Sequence, residues 1–194
     1  MDDNNHPRIG ITGGIGSGKS YVCHLLGERG IAVYDCDSEA KRLMRTSPDI
    51  MEGLTRLVGH DAYVDGQLNK TAITRFLLKS KRNNRLINSV VHPAVFQDFL
   101  QSGKQWVESA ILFDCGLYRL VDHVVCVSAP LDVRIRRIML RDGITRAQAL
   151  EWVAKQMPQE EVEARSDFRI INDGETDVNA QLEHILTLLD NHSF

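Results

Sequence analysis

Phosphate binding is the chemistry that the sequence indicates most directly, at a glycine-rich segment near the N-terminus. Residues 13–20 read Gly-Gly-Ile-Gly-Ser-Gly-Lys-Ser and match the whole pattern GxxxxGK followed by Ser or Thr. A β-branched run precedes the segment and an amphipathic run follows it, so we expect a strand, a loop and a helix in that order. Glycines let successive backbone N–H groups turn inward around phosphate oxygens, and the helix N-terminus adds positive potential. The segment therefore predicts a nucleoside-triphosphate site comprising Gly14, Ile15, Gly16, Ser17, Gly18, Lys19 and Ser20.

The last two residues of this segment would act on the phosphates and on the metal that accompanies them. A lysine at this place pairs with the outer phosphates, and the hydroxyl group that follows it binds Mg²⁺. Lys19 is therefore a candidate catalytic residue and Ser20 a candidate metal ligand. The cofactor implied is Mg²⁺, bound together with the nucleoside triphosphate.

Two aspartates mark the end of the second predicted strand, Ile31–Asp35. Asp35 and Asp37 are two residues apart, so in extended chain their side chains point the same way, at the sheet edge where ligands gather. Beside a phosphate loop we interpret Asp37 as functional: it would orient an acceptor hydroxyl, take its proton or hold water on Mg²⁺. The alternative role of Asp37 is the N-cap of a helix over Ser38–Thr46, and the role of Asp35 stays open. Carboxylates here favour a hydroxyl acceptor because they would repel a phosphate.

The third predicted strand, Trp106–Phe113, is an apolar run that Asp114 closes, as an acid closes a Walker B strand. Asp114 could steady Mg²⁺ through water, or it could be a turn residue after a buried strand. Glu108 lies within the same run, and we give it less weight. The sequence thus offers Asp114 as a second candidate for contact with substrate or metal.

Arginines crowd a predicted helix over Val133–Asp142 and the turn after it. Arg137 and Arg141 are four residues apart and share a helix face, so they could close over a nucleotide together and compensate its charge. A solvated basic face is the alternative. A phosphate loop needs charge compensation, which favours function for these two residues. The other arginines of the run are Arg134, Arg136 and Arg146.

The elements that must position these groups alternate between strands and helices. Such alternation is typical of an α/β fold with a mostly parallel five-stranded sheet and helices on both faces. The predicted strands are Arg8–Thr12, Ile31–Asp35, Trp106–Phe113, Asp122–Ser128 and Phe168–Asn172. The predicted helices of the same pattern are Tyr21–Arg29, Ser38–Thr46, Val133–Asp142, Arg146–Gln156 and Val178–Leu189.

Residues 38–104 are too many for a simple crossover, which needs roughly a dozen. Apolar spacing predicts an all-helical insert there, suited to bind a second substrate, with Asp65-Gly66 as a turn between two helices. Pro93 follows His92 and predicts a break or kink in one helix. Residues 1–37 and 105–194 would form the nucleotide-binding core, with a lid over about 137–157.

Composition restricts the classes of partner and compartment. The chain has 194 residues and a net charge of −3, so it lacks the basic excess of a protein that binds nucleic acid or an anionic membrane. Its four cysteines are far apart, which fits reduced thiols in the cytoplasm. The polar residues 1–6 lack the apolar core of a signal peptide. No oligomeric state is predicted.

Taken together, the motifs resemble the dephospho-CoA kinase family over nearly the whole chain. Each motif appears in the order and at the spacing that the family shows. The residues that carry the resemblance are Gly10–Ser20, Asp35 and Asp37, Asp65-Gly66-Gln67-Leu68, Leu86-Ile87-Asn88, His92-Pro93, Arg137, Arg141-Asp142, Gln156 and Asn172.

The resemblance implies a P-loop kinase fold with a helical, CoA-binding acceptor insert and a helical lid. The implied enzyme transfers the γ-phosphoryl group of ATP to the ribose 3′-hydroxyl of dephospho-CoA, the last step of coenzyme A biosynthesis. By the same resemblance, Asp37 is the base that faces the hydroxyl, and His92 belongs to the acceptor site. Arg141 lies near the adenine, and Asn172 contributes to the ATP site. A kinase for another small hydroxyl or nucleotide acceptor is the alternative.

Three positions depart from the family pattern. The usual P-L-L-x-E segment appears as Ala110-Ile111-Leu112-Phe113-Asp114, which leaves the role of Asp114 open. A frequent arginine after the D-G-x-L turn is replaced, with Lys70 nearby. Arg134 stands where a glutamine is common.

Overall fold

The computed structural model describes residues 7–191, so the polar segment 1–6 lies outside the described part of the chain. The strands of this part are β1 (Ile9–Thr12), β2 (Val33–Asp35), β3 (Tyr63–Val64), β4 (Gln67–Leu68), β5 (Trp106–Glu108), β6 (His123–Ser128) and β7 (Phe168–Ile171). The helices are α1 (Lys19–Glu28), α2 (Cys36–Thr46), α3 (Pro48–Val58), α4 (Lys70–Lys79), α5 (Lys81–Gln101), α6 (Leu131–Asp142), α7 (Arg146–Ala154), α8 (Gln159–Ala164) and α9 (Val178–Asn191). Within residues 7–191, no helix has the length and apolar character that crossing a membrane demands.

The chain folds into two compact units that divide between Tyr34 and Asp35 and again between Gly103 and Lys104. The unit that contains β1 holds a five-stranded sheet in the order β2-β5-β1-β6-β7. Strand β1 pairs in parallel with both β5 and β6, and β6 pairs in parallel with β7. The predicted parallel α/β sheet with flanking helices is confirmed.

Alternate residues of the central strands form the core of this unit. Ile9 and Ile11 of β1 are buried with Val125 and Val127 of β6, because residues two apart in a strand point to one face of the sheet. Burying each such side chain contributes about 1.5–3 kcal/mol. Helices α1 and α9 cover that face through Val22, Leu25, Leu26, Leu182, Ile185 and Leu189. The loop after β1 therefore starts from a fully buried strand that is paired on both sides.

Strand β5, the third strand that the sequence predicts, is shorter than its apolar run indicates. Strand β5 ends at Glu108, and Ser109 then turns the chain: its Oγ accepts the N–H of Ile111 at 3.3 Å. The N–H of Cys115 donates to the Ile111 carbonyl at 2.9 Å, which closes a turn. The expectation of a strand as far as Phe113 is wrong, because local turn hydrogen bonds replace the ladder after Ser109, whose N–H still donates to the Ile11 carbonyl at 3.0 Å.

The second unit, Asp35–Gly103, contains α2–α5 and a short antiparallel hairpin of β3 and β4. Asp65 and Gly66 form its two-residue turn, with φ of 50° and 74°. Positive φ at both turn residues matches the twist of paired strands, and this is why Asp-Gly is a frequent hairpin sequence. The prediction of an all-helical insert, with a turn between helices here, is therefore wrong in this segment.

Helix α5 continues through Pro93, so the predicted break after His92 does not occur. The buried residues of α5 are Ile87, Val91, Val95 and Phe99, at intervals of four. This unbroken apolar stripe spans the proline, and its burial outweighs the one helical hydrogen bond that proline cannot donate.

Asp35 caps helix α2. Its Oδ1 accepts the N–H groups of Asp37 and Ser38 at 3.0 and 3.1 Å, and its Oδ2 accepts the Ser38 hydroxyl at 2.7 Å. Asp37 lies inside the first turn of the helix. The alternative in which Asp37 is the N-cap is wrong, because the helix begins at Cys36 and the preceding aspartate supplies the cap.

We expect Asp35→Ala to lower the free energy of unfolding by about 1 kcal/mol, because two N–H groups of α2 lose their acceptor. Burial alone would raise the pKa of Asp35, but hydrogen bonds from Ser38 and Asp37 outweigh it and hold the pKa below its usual 3.8. The charged cap therefore stabilises the fold above that pH, and this contribution is lost on acidification. Denaturant titrations from about pH 6 to about pH 3 measure it.

Asp35→Asn is the matched control, since asparagine caps a helix without a charge. The difference in free energy of unfolding between wild type and Asp35→Asn should shrink as the pH falls through the folded pKa of Asp35. A difference that is equal at both ends of the pH range would contradict the charge-based part of the prediction.

Candidate active site

The phosphate loop spans Gly13–Gly18, between the end of β1 and the start of α1. Gly18 precedes α1 in left-handed conformation, and no side chain caps this helix. No acidic side chain lies in the first turn of α1. The N–H groups of that turn thus carry positive potential with no carboxylate of their own turn to offset it, which is the arrangement that binds phosphate.

Two glycines of the loop lie so close to residues at or just after neighbouring strand ends that a side chain would not fit. A methyl group on Gly13 would overlap the carbonyl oxygen of Val127, at the end of β6. A methyl group on Gly18 would overlap Nδ2 of Asn172, just after β7, and the φ of Gly18 is +97°. Only glycine satisfies both the close approach and the left-handed backbone at position 18.

Lys19 lies at the loop with an acidic neighbour that the sequence did not favour. Its Nζ donates to the carbonyl of Gly13 at 2.9 Å and lies 3.8 Å from Oε1 of Glu108, at the end of β5. Both side chains are mostly buried, 11% and 16% exposed. Asp114 instead lies exposed in the turn region beyond β5. Glu108 rather than Asp114 therefore occupies the strand-end position expected of a Walker B acid, because the strand stops six residues before Asp114.

Arg137 and Asn172 meet at the loop. Nη1 of Arg137 donates to the carbonyl groups of Ser17 and Asn172 at 3.3 and 2.9 Å, and Nη2 donates to Oδ1 of Asn172 at 3.2 Å. Nδ2 of Asn172 donates to the Ser17 carbonyl at 3.0 Å. The structure thus brings two of the predicted nucleotide-binding residues together against the loop backbone.

Arg141 is not part of this contact network, although it shares α6 with Arg137. Its side chain is exposed and forms an ion pair with Asp142, with Nη2 and Oδ2 2.7 Å apart. The two arginines therefore differ in environment: Arg137 donates to carbonyl oxygens at the loop, whereas Arg141 lies at the surface.

Both backbone polar groups of Ile15 are hydrogen-bonded to side chains. Its N–H donates to Oε1 of Gln156 at 2.7 Å, and its carbonyl accepts Nε of Arg134 at 2.9 Å. Sequence reasoning found Gln156 through the family pattern but missed Arg134, which it counted as one arginine of a basic run. The available signal was spacing, because Arg134 precedes Arg137 by three residues and so lies on the same side of α6.

The second unit holds the acceptor-site candidates Asp37 and His92. Asp37 is exposed in the first turn of α2. His92 is half-buried in α5 and stacks on Phe96, with ring centroids 6.0 Å apart. Burial lowers the pKa of His92, so its neutral form prevails at neutral pH.

We expect Gly18→Ala to remove measurable ATP binding, because the methyl group would overlap Asn172 and the left-handed backbone would be strained. Calorimetric titration with Mg·ATP measures the loss. Gly27→Ala is the matched control within α1, since a methyl group there meets nothing within 4 Å. That variant should bind ATP normally and be more stable by up to about 1 kcal/mol. Wild-type affinity in Gly18→Ala would contradict the prediction.

Comparison with known proteins identifies the family. A family model described as dephospho-CoA kinase matches residues 8–177. A dephospho-CoA kinase from Bacteroides fragilis is 39% identical over 193 residues, covering 94% of this chain and 92% of that protein. The crystal structure of TT1252 from Thermus thermophilus is 33% identical with a TM-score of 0.81, covering 95% and 98% of the two chains. A dephospho-CoA kinase from Campylobacter jejuni, 17% identical, shares the fold with a TM-score of 0.69 over 96% and 98% of the two chains. The chain belongs to the dephospho-CoA kinase family.

Proposed function

We propose that the protein transfers the γ-phosphoryl group of Mg·ATP to the ribose 3′-hydroxyl of dephospho-CoA. A bond forms between the γ-phosphorus and the 3′-oxygen, the bond to the β–γ bridging oxygen breaks, and ADP leaves. The observation that carries the proposal is the phosphate loop, with Lys19 held beside Glu108, in a chain of this family.

The phosphate loop would hold ATP in line for transfer. Backbone N–H groups of the loop and of the first turn of α1 would surround the phosphates, apart from those of Ile15 and Ser17, which donate to Gln156 and to the Gly14 carbonyl. Lys19 would neutralise charge on the outer phosphates. Arg137, which donates to carbonyl groups of the loop and of Asn172, would add charge compensation at the same site. Little covalent chemistry is required of the protein, because phosphoryl transfer depends on position and electrostatic stabilisation.

ATP would bind as its magnesium complex, so that Mg²⁺ is part of the substrate. Mg²⁺ is held through one or two protein oxygens together with the phosphates. The oxygen donors at the loop fit this requirement: Ser20 offers a hydroxyl in the first turn of α1, and Glu108 offers a carboxylate beside Lys19. We assign Ser20 as the metal ligand and Glu108 as the acid that orients metal-bound water. Roles of Asp37 and Asp114 toward Mg²⁺ stay predictions.

Asp37 would align the acceptor hydroxyl and take its proton as the bond to phosphorus forms. Its carboxylate is exposed, and the capping of α2 is already performed by Asp35. Nothing in the local fold of α2 therefore requires a carboxylate at position 37. His92 would contribute to the acceptor site in its neutral form, and Arg141 would approach the adenine.

The thiols support the proposal of a cytoplasmic protein. The four cysteines, which all lie within residues 7–191, form no disulfide bond there, and two of them, Cys36 and Cys126, are buried. Free thiols persist in a reducing environment, which supports action in the cytoplasm.

The proposed reaction is tested by ATP consumption with Mg²⁺, with and without dephospho-CoA, and by mass analysis of the product. We expect ADP formation that depends on dephospho-CoA and the addition of one phosphate to it. ATP binding without transfer to dephospho-CoA would reject this acceptor and direct the search to other small hydroxyl compounds.

We expect Asp37→Asn to lower kcat at least about 100-fold with little change in ATP affinity, because the variant keeps its shape and loses the proton acceptor. Steady-state kinetics and a Mg·ATP titration separate the two effects. Asp49→Asn is the matched control: Asp49 is also an exposed acid in the first turn of its helix, α3. Turnover of Asp37→Asn close to that of Asp49→Asn would remove Asp37 from this role.

A further inference from the structure

Arg134 is buried against the backbone of the phosphate loop, and its side chain is only 4% exposed. Its Nε donates to the Ile15 carbonyl at 2.9 Å, and a methyl group on Gly14 would overlap its Nη2. A methyl group on Gly16 would lie 2.7 Å from the carbonyl oxygen of Arg134 itself. The guanidinium group therefore lies directly beneath the first half of the loop.

The charge of Arg134 is not compensated by an ion pair. Its other hydrogen bond runs from Nη1 to Oε1 of Gln159, a neutral amide, at 2.7 Å. Across residues 7–191, no carboxylate oxygen comes within 4.0 Å of this guanidinium. Glu160, which is exposed, acts on Arg134 only from longer range. An arginine stays protonated even when buried, so the fold holds a cation without an acidic contact.

The nearest acid along the hydrogen-bond network is already paired. Gln159 donates from Nε2 to Oε1 of Glu163 at 2.8 Å and to the hydroxyl of Ser128. Oε2 of Glu163 accepts Nη1 of Arg169 at 3.0 Å. Glu163 is thus neutralised by Arg169, and the positive charge of Arg134 faces the loop.

We propose that Arg134 is a positioning residue of the phosphate loop that also supplies a buried positive charge to the phosphates of the bound nucleotide. The inference rests on the proposed function, because it requires ATP at this loop. Arg134 would act through the loop peptides, in a low-dielectric setting where a charge is weakly screened. A glutamine at position 134 could accept or donate a hydrogen bond there but would bring no charge.

A buried unpaired charge destabilises the nucleotide-free protein and is compensated when an anion binds. Two consequences distinguish an electrostatic role of Arg134 from simple structural support of the loop. The effect of Arg134 on affinity should grow with the number of phosphates on the ligand. Removal of the charge should leave the nucleotide-free protein equally stable or more stable, whereas loss of a support would destabilise it.

The test uses the whole chain and calorimetric titrations with Mg·ATP, Mg·ADP and AMP, together with thermal unfolding without nucleotide. For Arg134→Gln we expect about a tenfold loss of affinity for Mg·ATP, a smaller loss for Mg·ADP and little change for AMP. Arg134→Lys keeps the charge, and it should retain the wild-type preference for ATP over AMP. Arg136→Gln, on an exposed residue of the same helix, is the matched control and should bind all three ligands as wild type does.

Each alternative result is distinguishable. If Arg134→Gln loses affinity equally for ATP, ADP and AMP and unfolds at a lower temperature, the electrostatic role of Arg134 is overturned and only a structural role is left. Wild-type affinities in Arg134→Gln, or loss of the ATP preference in Arg134→Lys, would overturn the inference while the ATP site stands. A wild-type chain that does not bind Mg·ATP would overturn the proposed function, and the inference with it.

Discussion

The loop after β1 lies in close contact with the neighbouring strand ends, and the rest of the site depends on that contact. Gly13 lies against the end of β6, and Gly18 lies against Asn172 after β7. Such approaches are possible only because neither residue has a side chain. Strand order makes them available, since β1 pairs with β6 and β6 pairs with β7. The phosphate-binding shape is thus a property of the sheet as much as of the loop sequence.

The electrostatics of the loop follow from the same arrangement. Lys19, Arg134 and Arg137 each hydrogen-bond to a carbonyl group of the loop. Of these three cations, and within residues 7–191, only Lys19 has a carboxylate oxygen within 4.0 Å. These carbonyl contacts satisfy the donors and fix their positions while leaving their charges in place. A site prepared in this way does not have to reorganise when a polyanion binds or when charge develops in the transition state. Transition-state stabilisation by such fixed groups is the main demand of phosphoryl transfer.

Features of the fold that depend on neighbours in sequence can be predicted from local patterns. Features that depend on tertiary contacts cannot be predicted from the sequence in this way. The phosphate loop and the parallel strands are local patterns, and the structure has both. The end of β5 at Glu108 depends on hydrogen bonds of Ser109, which an apolar run does not reveal. The continuation of α5 through Pro93 depends on a buried stripe whose partners lie elsewhere in the chain. Arg134 looked like one member of a solvated basic run, because burial of a single residue cannot be read from charge alone.

Asp35 and Asp37 have different structural roles, and this difference bears on the chemistry at the end of β2. Two carboxylates two residues apart look interchangeable in the sequence, yet Asp35 uses both of its oxygens to cap α2. A capping carboxylate that moved to meet a substrate would release two N–H groups of the helix, so it is poorly suited to proton transfer. Asp37 has no such role, because Asp35 already accepts the first N–H groups of the helix. Asp37 would take the proton late, because a loose transition state leaves the hydroxyl proton in place until the new bond is well advanced.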